Sequence, residues 1–120
     1  MRFVAVLLVC GMASPALADA TLGVGLSVTG NSEIKVATYA CEGRDPLSVE
    51  YLNAAPNFLA LVPVGDQTLV FVNVISASGA KYESGSYVWW IKGSDATLHD
   101  ITEGLDAAPV LTCSEQVDTP

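Results

Sequence analysis

Between Ser76 and Gly93 the chain reads Ser-Ala-Ser-Gly-Ala-Lys-Tyr-Glu-Ser-Gly-Ser-Tyr-Val-Trp-Trp-Ile-Lys-Gly. Hydroxyls and ammonium groups are hydrogen-bond donors, and lysine carries no acceptor at all. Glycine lets the backbone come close to a partner. The only charges in the window are Lys81, Glu83 and Lys92, so it is net +1 in a chain of net charge −8. A cationic, hydroxyl-rich projection on an acidic body suits the recognition of carboxylates.

The elements that would hold this window are strands. Leu47–Leu52 alternates clearly, with Leu47, Val49 and Tyr51 on one face and Ser48, Glu50 and Leu52 on the other. Ile34–Ala40 alternates weakly. Phe58–Val64 and Thr68–Ile75 are nearly continuous β-branched and aromatic runs joined by a Gly65-Asp66 hairpin turn. Ser86–Lys92 is an aromatic-rich strand with Gly93-Ser94-Asp95 as its turn, and Ala96–Ile101 and Val110–Cys113 complete the set. Pro63 marks an edge or strand end, because proline cannot donate to a ladder. Trp89 and Trp90 must point to opposite faces, one into the core and one outward. Short strands at this spacing predict an all-β sandwich or small barrel.

Export is expected. Arg2, the apolar run Phe3–Met12 and the A-x-A site Ala16-Leu17-Ala18 have the order of a signal peptide, residues 1–18. The run is shorter than the roughly 20 residues a membrane-spanning helix needs. Cys10 invites comparison with lipid-attached proteins, but it follows Val9 rather than a small residue and lies inside the apolar run. The expectation is a secreted chain without a lipid anchor. Residues 19–32 are small and glycine-rich, read as a flexible arm, and residues 33–120 form one domain.

Cys41 and Cys113 remain after such cleavage, and an even count in a small exported chain predicts a disulfide. It would close a loop for which the chain-entropy account gives at most about 4.4 kcal/mol. Joining the first core strand to the last, it favours a closed barrel. Without Arg2, four basic residues face thirteen acidic ones. That balance excludes nucleic acid as a partner, since phosphate binding needs a basic face, and favours basic proteins. It also serves plain solubility.

Enzymatic chemistry is poorly supported. The single histidine, His99, lies on a predicted strand, and no G-x-S-x-G elbow is present. One histidine and two disulfide cysteines make no zinc set, no glycine-rich phosphate loop precedes a helix, and no carboxylate pair stands out for glycosidase work. No cofactor or metal is expected; the chain reads as a binding protein.

The pattern Tyr39-x-Cys41-x-x-Gly43, Val49-x-Tyr51, Ser76-Ala77-Ser78-Gly79-Ala80-Lys81-Tyr82, Trp90-x-Lys92-Gly93 and a late Cys113 resembles the MliC/PliC family, bacterial inhibitors of c-type lysozyme. The resemblance covers about Ala37 to Ser114. It implies an eight-stranded antiparallel β-barrel with one Cys41–Cys113 disulfide. It also implies a periplasmic or outer-membrane protein that protects peptidoglycan, and the missing lipobox places this chain with the soluble periplasmic type. The family is similar in placing its first motif loop in the lysozyme cleft, where two carboxylates do the chemistry. On that resemblance the lysozyme-binding residues are Ser76, Ser78, Gly79, Tyr82, Lys92 and Gly93. Ser78, with Gly79 allowing a tight turn, would set its hydroxyl against a catalytic carboxylate, and Ser76 is a second hydroxyl for that role. Lys92 would bring an ammonium to the cleft or its rim, and Tyr82 would pack beside the loop or donate a hydrogen bond.

The same residues suit plainer roles. Ser76–Gly79 is also a good hairpin turn, Tyr82 and the tryptophans suit a small barrel core, and Lys92 suits an exposed strand end. Two other functions compete. A carrier of one small apolar ligand needs an unfilled interior, which many Val, Leu and Phe residues oppose. A structural envelope module would show exposed apolar edge strands or self-association.

Overall fold

The computed structural model describes residues 4, 9–15, 19–28, 30–104 and 106–117. The expected cleavage site Ala16–Ala18 lies outside them, as does much of the apolar run before it. Eight antiparallel strands follow one another in chain order: β1 (Ser32–Cys41), β2 (Leu47–Ala54), β3 (Asn57–Val64), β4 (Gln67–Val74), β5 (Ala80–Ser84), β6 (Tyr87–Lys92), β7 (Asp95–Asp100) and β8 (Leu111–Glu115). Each pairs with its sequence neighbour, and β8 returns to β1 to close the barrel. Consecutive antiparallel pairing needs only short turns; Gly65-Asp66, Gly85-Ser86 and Gly93-Ser94 supply three of them, while a longer link over residues 101–110 leads to β8.

The inward face follows the two-residue period. Leu47, Val49 and Tyr51 of β2 are buried as the alternation predicts. The largest fully buried side chains are Trp89, Tyr39, Phe71, Leu47, Leu98, Val49 and Val62, each contributing about 1.5–3 kcal/mol over an exposed position. Their polar tips are satisfied internally: Tyr39 and Tyr51 hydroxyls lie 2.7 Å apart, and Trp89 Nε1 donates to Tyr51 Oη at 2.9 Å. Burial pushes the Tyr39, Tyr51 and Tyr82 phenols above their ordinary range.

The closing seam between β1 and β8 is short, with pairs Tyr39↔Glu115, Ala40↔Ser114 and Cys41↔Cys113. The expected disulfide sits in that seam, joining Cys41 and Cys113 across directly paired positions. Pro63 lies beyond Glu50↔Leu61, the last pair of β2 with β3, where β3 is held by β4 alone. Its missing N–H falls at such a strand end, as expected.

Sequence patterning missed β5. Its five residues Ala-Lys-Tyr-Glu-Ser carry one large inward side chain, Tyr82. Only three pairs tie β5 to β4, while five tie it to β6. Strand β8 also runs two residues past the expected end at Cys113, and β7 stops at Asp100, one short. Ile101–Glu103 turns into a 3₁₀ turn, whose N-cap Asp100 accepts bonds from Thr102 N at 3.0 Å and Thr102 Oγ1 at 2.7 Å. Ser32, expected in the 19–32 arm, opens β1, and the described residues of the arm before it are in no strand.

Because so few backbone pairs close the seam, the disulfide should carry much of the closure. Replacing both cysteines by alanine is expected to lower the unfolding free energy by up to about 4 kcal/mol. Urea titration of the oxidised wild type and the double variant measures the difference; equal midpoints would show that the pairs suffice alone.

Candidate functional site

Strands β4 and β5 are joined by Ile75–Gly79, at the same barrel end as the Gly93-Ser94 turn between β6 and β7. Ile75 is fully exposed, Ala77, Ser78 and Gly79 are exposed, and Ser76 is half-buried. Three internal restraints shape this loop. Ser76 Oγ reaches the Ser78 carbonyl at 3.0 Å and the Gly79 carbonyl at 3.1 Å. Trp90 Nε1 donates to that same Ser78 carbonyl at 3.0 Å. Gly79 has φ +67°, and a Cβ there would collide with the Ile91 carbonyl oxygen and meet Lys92 Cγ at 3.0 Å. A glycine is therefore required twice over, for the backbone angle and for the space.

These restraints divide the two serines. The Ser76 hydroxyl is spent on holding the turn. The Ser78 backbone is fixed by Trp90, while its exposed side chain makes no hydrogen bond among the described residues. A hydroxyl on a fixed backbone can meet a partner with little ordering cost.

Trp90 is the base on which the loop rests. It points outward, opposite in phase to the buried Trp89, with Lys92 Nζ 4.0 Å and Lys81 Nζ 5.2 Å from its ring centroid. Both geometries come from the sheet: Lys92 is two residues on along β6, and Lys81 is the cross-strand partner on β5. The negative face of the indole holds each ammonium by about 0.5–1 kcal/mol at an exposed site. Lys81 also lies 3.9 Å from Glu83 Oε1, and Asn73 Nδ2 bonds its carbonyl at 3.2 Å.

Tyr82 is not on this face. It turns into the barrel, 7% exposed, with its ring 5.8 Å from Tyr51. There it lines a recess of about 250 Å³ at the barrel mouth with Lys35, Tyr39, Asn53, Gly93 and Glu115 among others. Gly93, at φ +62°, makes the turn after β6. The structure thus brings Ser78, Gly79 and Lys92 together beside Trp90, and sets Tyr82 and Gly93 around the mouth.

Sequence reasoning set His99 aside as an ordinary strand residue. It stands half-buried on β7, its Nε2 2.8 Å from Thr97 Oγ1. With Lys81, Val88, Trp90, Asp100, Ile101, Gly104, Ala107 and Ala108 it lines a cleft of about 140 Å³ beside the loop's base. Val88 faces outward but is buried beside these residues. Desolvation, then the charges of Lys81 and Lys92, push His99 below its ordinary pKa. It is neutral at pH 7, so the face carries two positive charges there. Only the strand register brings these groups together, and no local motif announces it.

A rigid loop that offers an exposed hydroxyl above a lysine-flanked aromatic, on a closed and packed barrel, defines a protein-binding module. Residues 39–106 match the family described as membrane-bound lysozyme-inhibitor of c-type lysozyme, and the chain belongs to that family. It is 45% identical over 94 residues to the membrane-bound lysozyme inhibitor of C-type lysozyme from Pseudomonas aeruginosa, covering 76% of this chain and 74% of that protein. The protein of the same name from Cupriavidus necator is 35% identical over 107 residues, 89% of this chain and 86% of its relative. Among solved structures, Pseudomonas aeruginosa MliC in complex with hen egg white lysozyme superposes with a TM-score of 0.68 at 40% identity, over 82% of this chain and 99% of that one. Among the described residues no helix is long and apolar enough to cross a membrane.

Two outcomes follow from this geometry. Gly79→Ala should cost about 1–3 kcal/mol from the left-handed backbone and the Ile91 contact, with a shift in Trp90 emission as the Ser78 carbonyl leaves the indole. An unchanged urea midpoint would mean the loop yields freely. For His99 the folded pKa lies below the unfolded value of about 6.5, so the unfolded chain binds more protons in that interval. Stability should therefore fall as pH drops from 7 through the window, and His99→Gln should flatten that fall in melts taken from pH 7 to 5.

Proposed function

We propose that this chain inhibits a c-type lysozyme by placing the Ser76–Gly79 loop in the active-site cleft, with Ser78 Oγ and Lys92 Nζ directed at the catalytic carboxylates. The observation that carries this reading is the exposed Ser78 hydroxyl on a backbone fixed by Trp90 and turned tightly at Gly79, with the Lys92 ammonium over the same indole. Lysozyme hydrolysis needs one carboxyl as general acid and one ionised as nucleophile or stabiliser. A hydroxyl and an ammonium that satisfy these groups, on a body that fills the sugar groove, remove both the chemistry and the substrate's place. Ser76 and Gly79 act by shaping the loop, and Tyr82 and Gly93 by holding the barrel mouth behind it. No reaction is attributed to the chain itself.

Family membership and the relative solved with hen egg white lysozyme support the reading. So does charge: a net −8 body attracts a basic enzyme and raises the association rate, while the local lysines face the acidic cleft. Cleavage after Ala18 would release the chain to the periplasm, where it would protect peptidoglycan, and Val9 before Cys10 argues for a soluble rather than lipid-anchored form. The apolar-ligand alternative fits less well. The interior is filled by Trp89, Phe71 and their neighbours, and the recess at the mouth carries Lys35, Asn53, Glu115 and tyrosines.

Charge-assisted hydrogen bonds contribute about 1.5–3 kcal/mol each. Ser78→Ala combined with Lys92→Ala should therefore weaken inhibition about a hundredfold or more in a cell-wall lysis assay with a c-type lysozyme. If the folded double variant inhibits as well as wild type, the loop is not the inhibitory element.

A further inference from the structure

Among the described residues the first half of β1 has a partner on one side only. Strand β2 pairs with β1 from Ser32 to Tyr39, but β8 meets it only at Tyr39–Cys41. Below that seam the last bond among the described residues is from Gln116 N to the Thr38 carbonyl at 2.8 Å. The Thr38 carbonyl thus faces the β8 side, and by the two-residue period of a strand the backbone groups of Val36 and Ile34 face it too. Among the described residues no strand covers them. The side chains of Ile34 and Val36 are 66% and 64% exposed. An open, apolar edge of this kind is a template for another strand.

We infer that this edge pairs with the same edge of a second copy, β1 against β1 antiparallel, about a two-fold axis at Ile34. Charge singles out this occupant and this register. With Ile34 on the axis, Glu33 of each chain lies opposite the partner subunit's Lys35, and Lys35 opposite the partner subunit's Glu33. Ile34 meets the partner subunit's Ile34 as a hydrogen-bonded pair. Centring on Lys35 would oppose two ammoniums, and centring on Glu33 two carboxylates, each destabilising. Neither Glu33 nor Lys35 has an ion pair among the described residues. Charged residues normally guard an edge against association; here opposite signs two residues apart admit one self-complementary pairing and reject its neighbours. Such a contact is isologous and closes at two copies.

The chain's own arm could in principle cover this edge. Its only charge is Asp19, too distant along the chain to serve Lys35, and its Leu22, Val24 and Leu26 stand free in solvent. It offers nothing that answers Glu33 and Lys35.

Sedimentation velocity of the exported chain from low to high micromolar concentration tests the pairing. Wild type should show a reversible monomer–dimer equilibrium. Glu33→Lys and Lys35→Glu should each weaken it about tenfold or more, because each turns two attractions into two repulsions. The double exchange Glu33→Lys with Lys35→Glu should restore it, which no general loss of folding would do. A strict monomer at every concentration overturns the inference, including one in which the arm covers the edge. So does a dimer indifferent to the single changes, or one the double exchange fails to restore.

Discussion

A sheet of eight strands buries its inner face only if its first and last strands meet. Here they meet over three residue pairs, and a disulfide spans the last of them. That closure is the constraint on which the rest depends. Opened at the seam, the inner faces of β1 and β8 would expose Tyr39 and Cys113, and the Tyr39–Tyr51–Trp89 hydrogen bonds would lose their dry surroundings. A polar network in the interior stabilises only while all its members are satisfied. The covalent bond therefore protects more than its own loop entropy.

The loop at that end owes its shape to the outer face of β5 and β6. Trp90 acts in two ways: its N–H fixes the Ser78 carbonyl, and its ring attracts two ammoniums. Two lysines near one another repel, and a shared aromatic face lowers that cost. His99 completes the balance by staying neutral. A charged imidazole would add a third positive group to a surface already holding two. The arrangement puts a small cationic island on an acidic body, so the far field favours a basic partner while the near field favours carboxylates.

How much of this was legible depended on whether burial or register did the work. The alternation Leu47-x-Val49-x-Tyr51 spoke plainly because one face of β2 is buried and the other wet. The disulfide followed from cysteine number and compartment. Strand β5 stayed hidden because its single large inward residue, Tyr82, makes no visible pattern, and pairing with β6 rather than hydrophobicity keeps it extended. Lys92 and Trp90 could be put on one face from spacing alone. The meeting of Lys81, His99 and Trp90 could not, since it spans three strands and their register is written in no short motif. The resemblance put Ser78 ahead of Ser76, and the carbonyls within reach of Ser76 Oγ supply a physical difference between the two hydroxyls that the sequence does not show.

The same economy explains why β1 is left half open. Ten residues long, it outruns the five of β8, so closing the barrel at Cys41 leaves its beginning uncovered on that side. Among the described residues no strand pairs that side, and the recess that Lys35, Tyr82 and Gly93 line lies beside it. Such an edge is tolerable only if something limits what may add to it. Opposite charges at Glu33 and Lys35, one on each side of Ile34, impose that limit by matching one register and penalising the next.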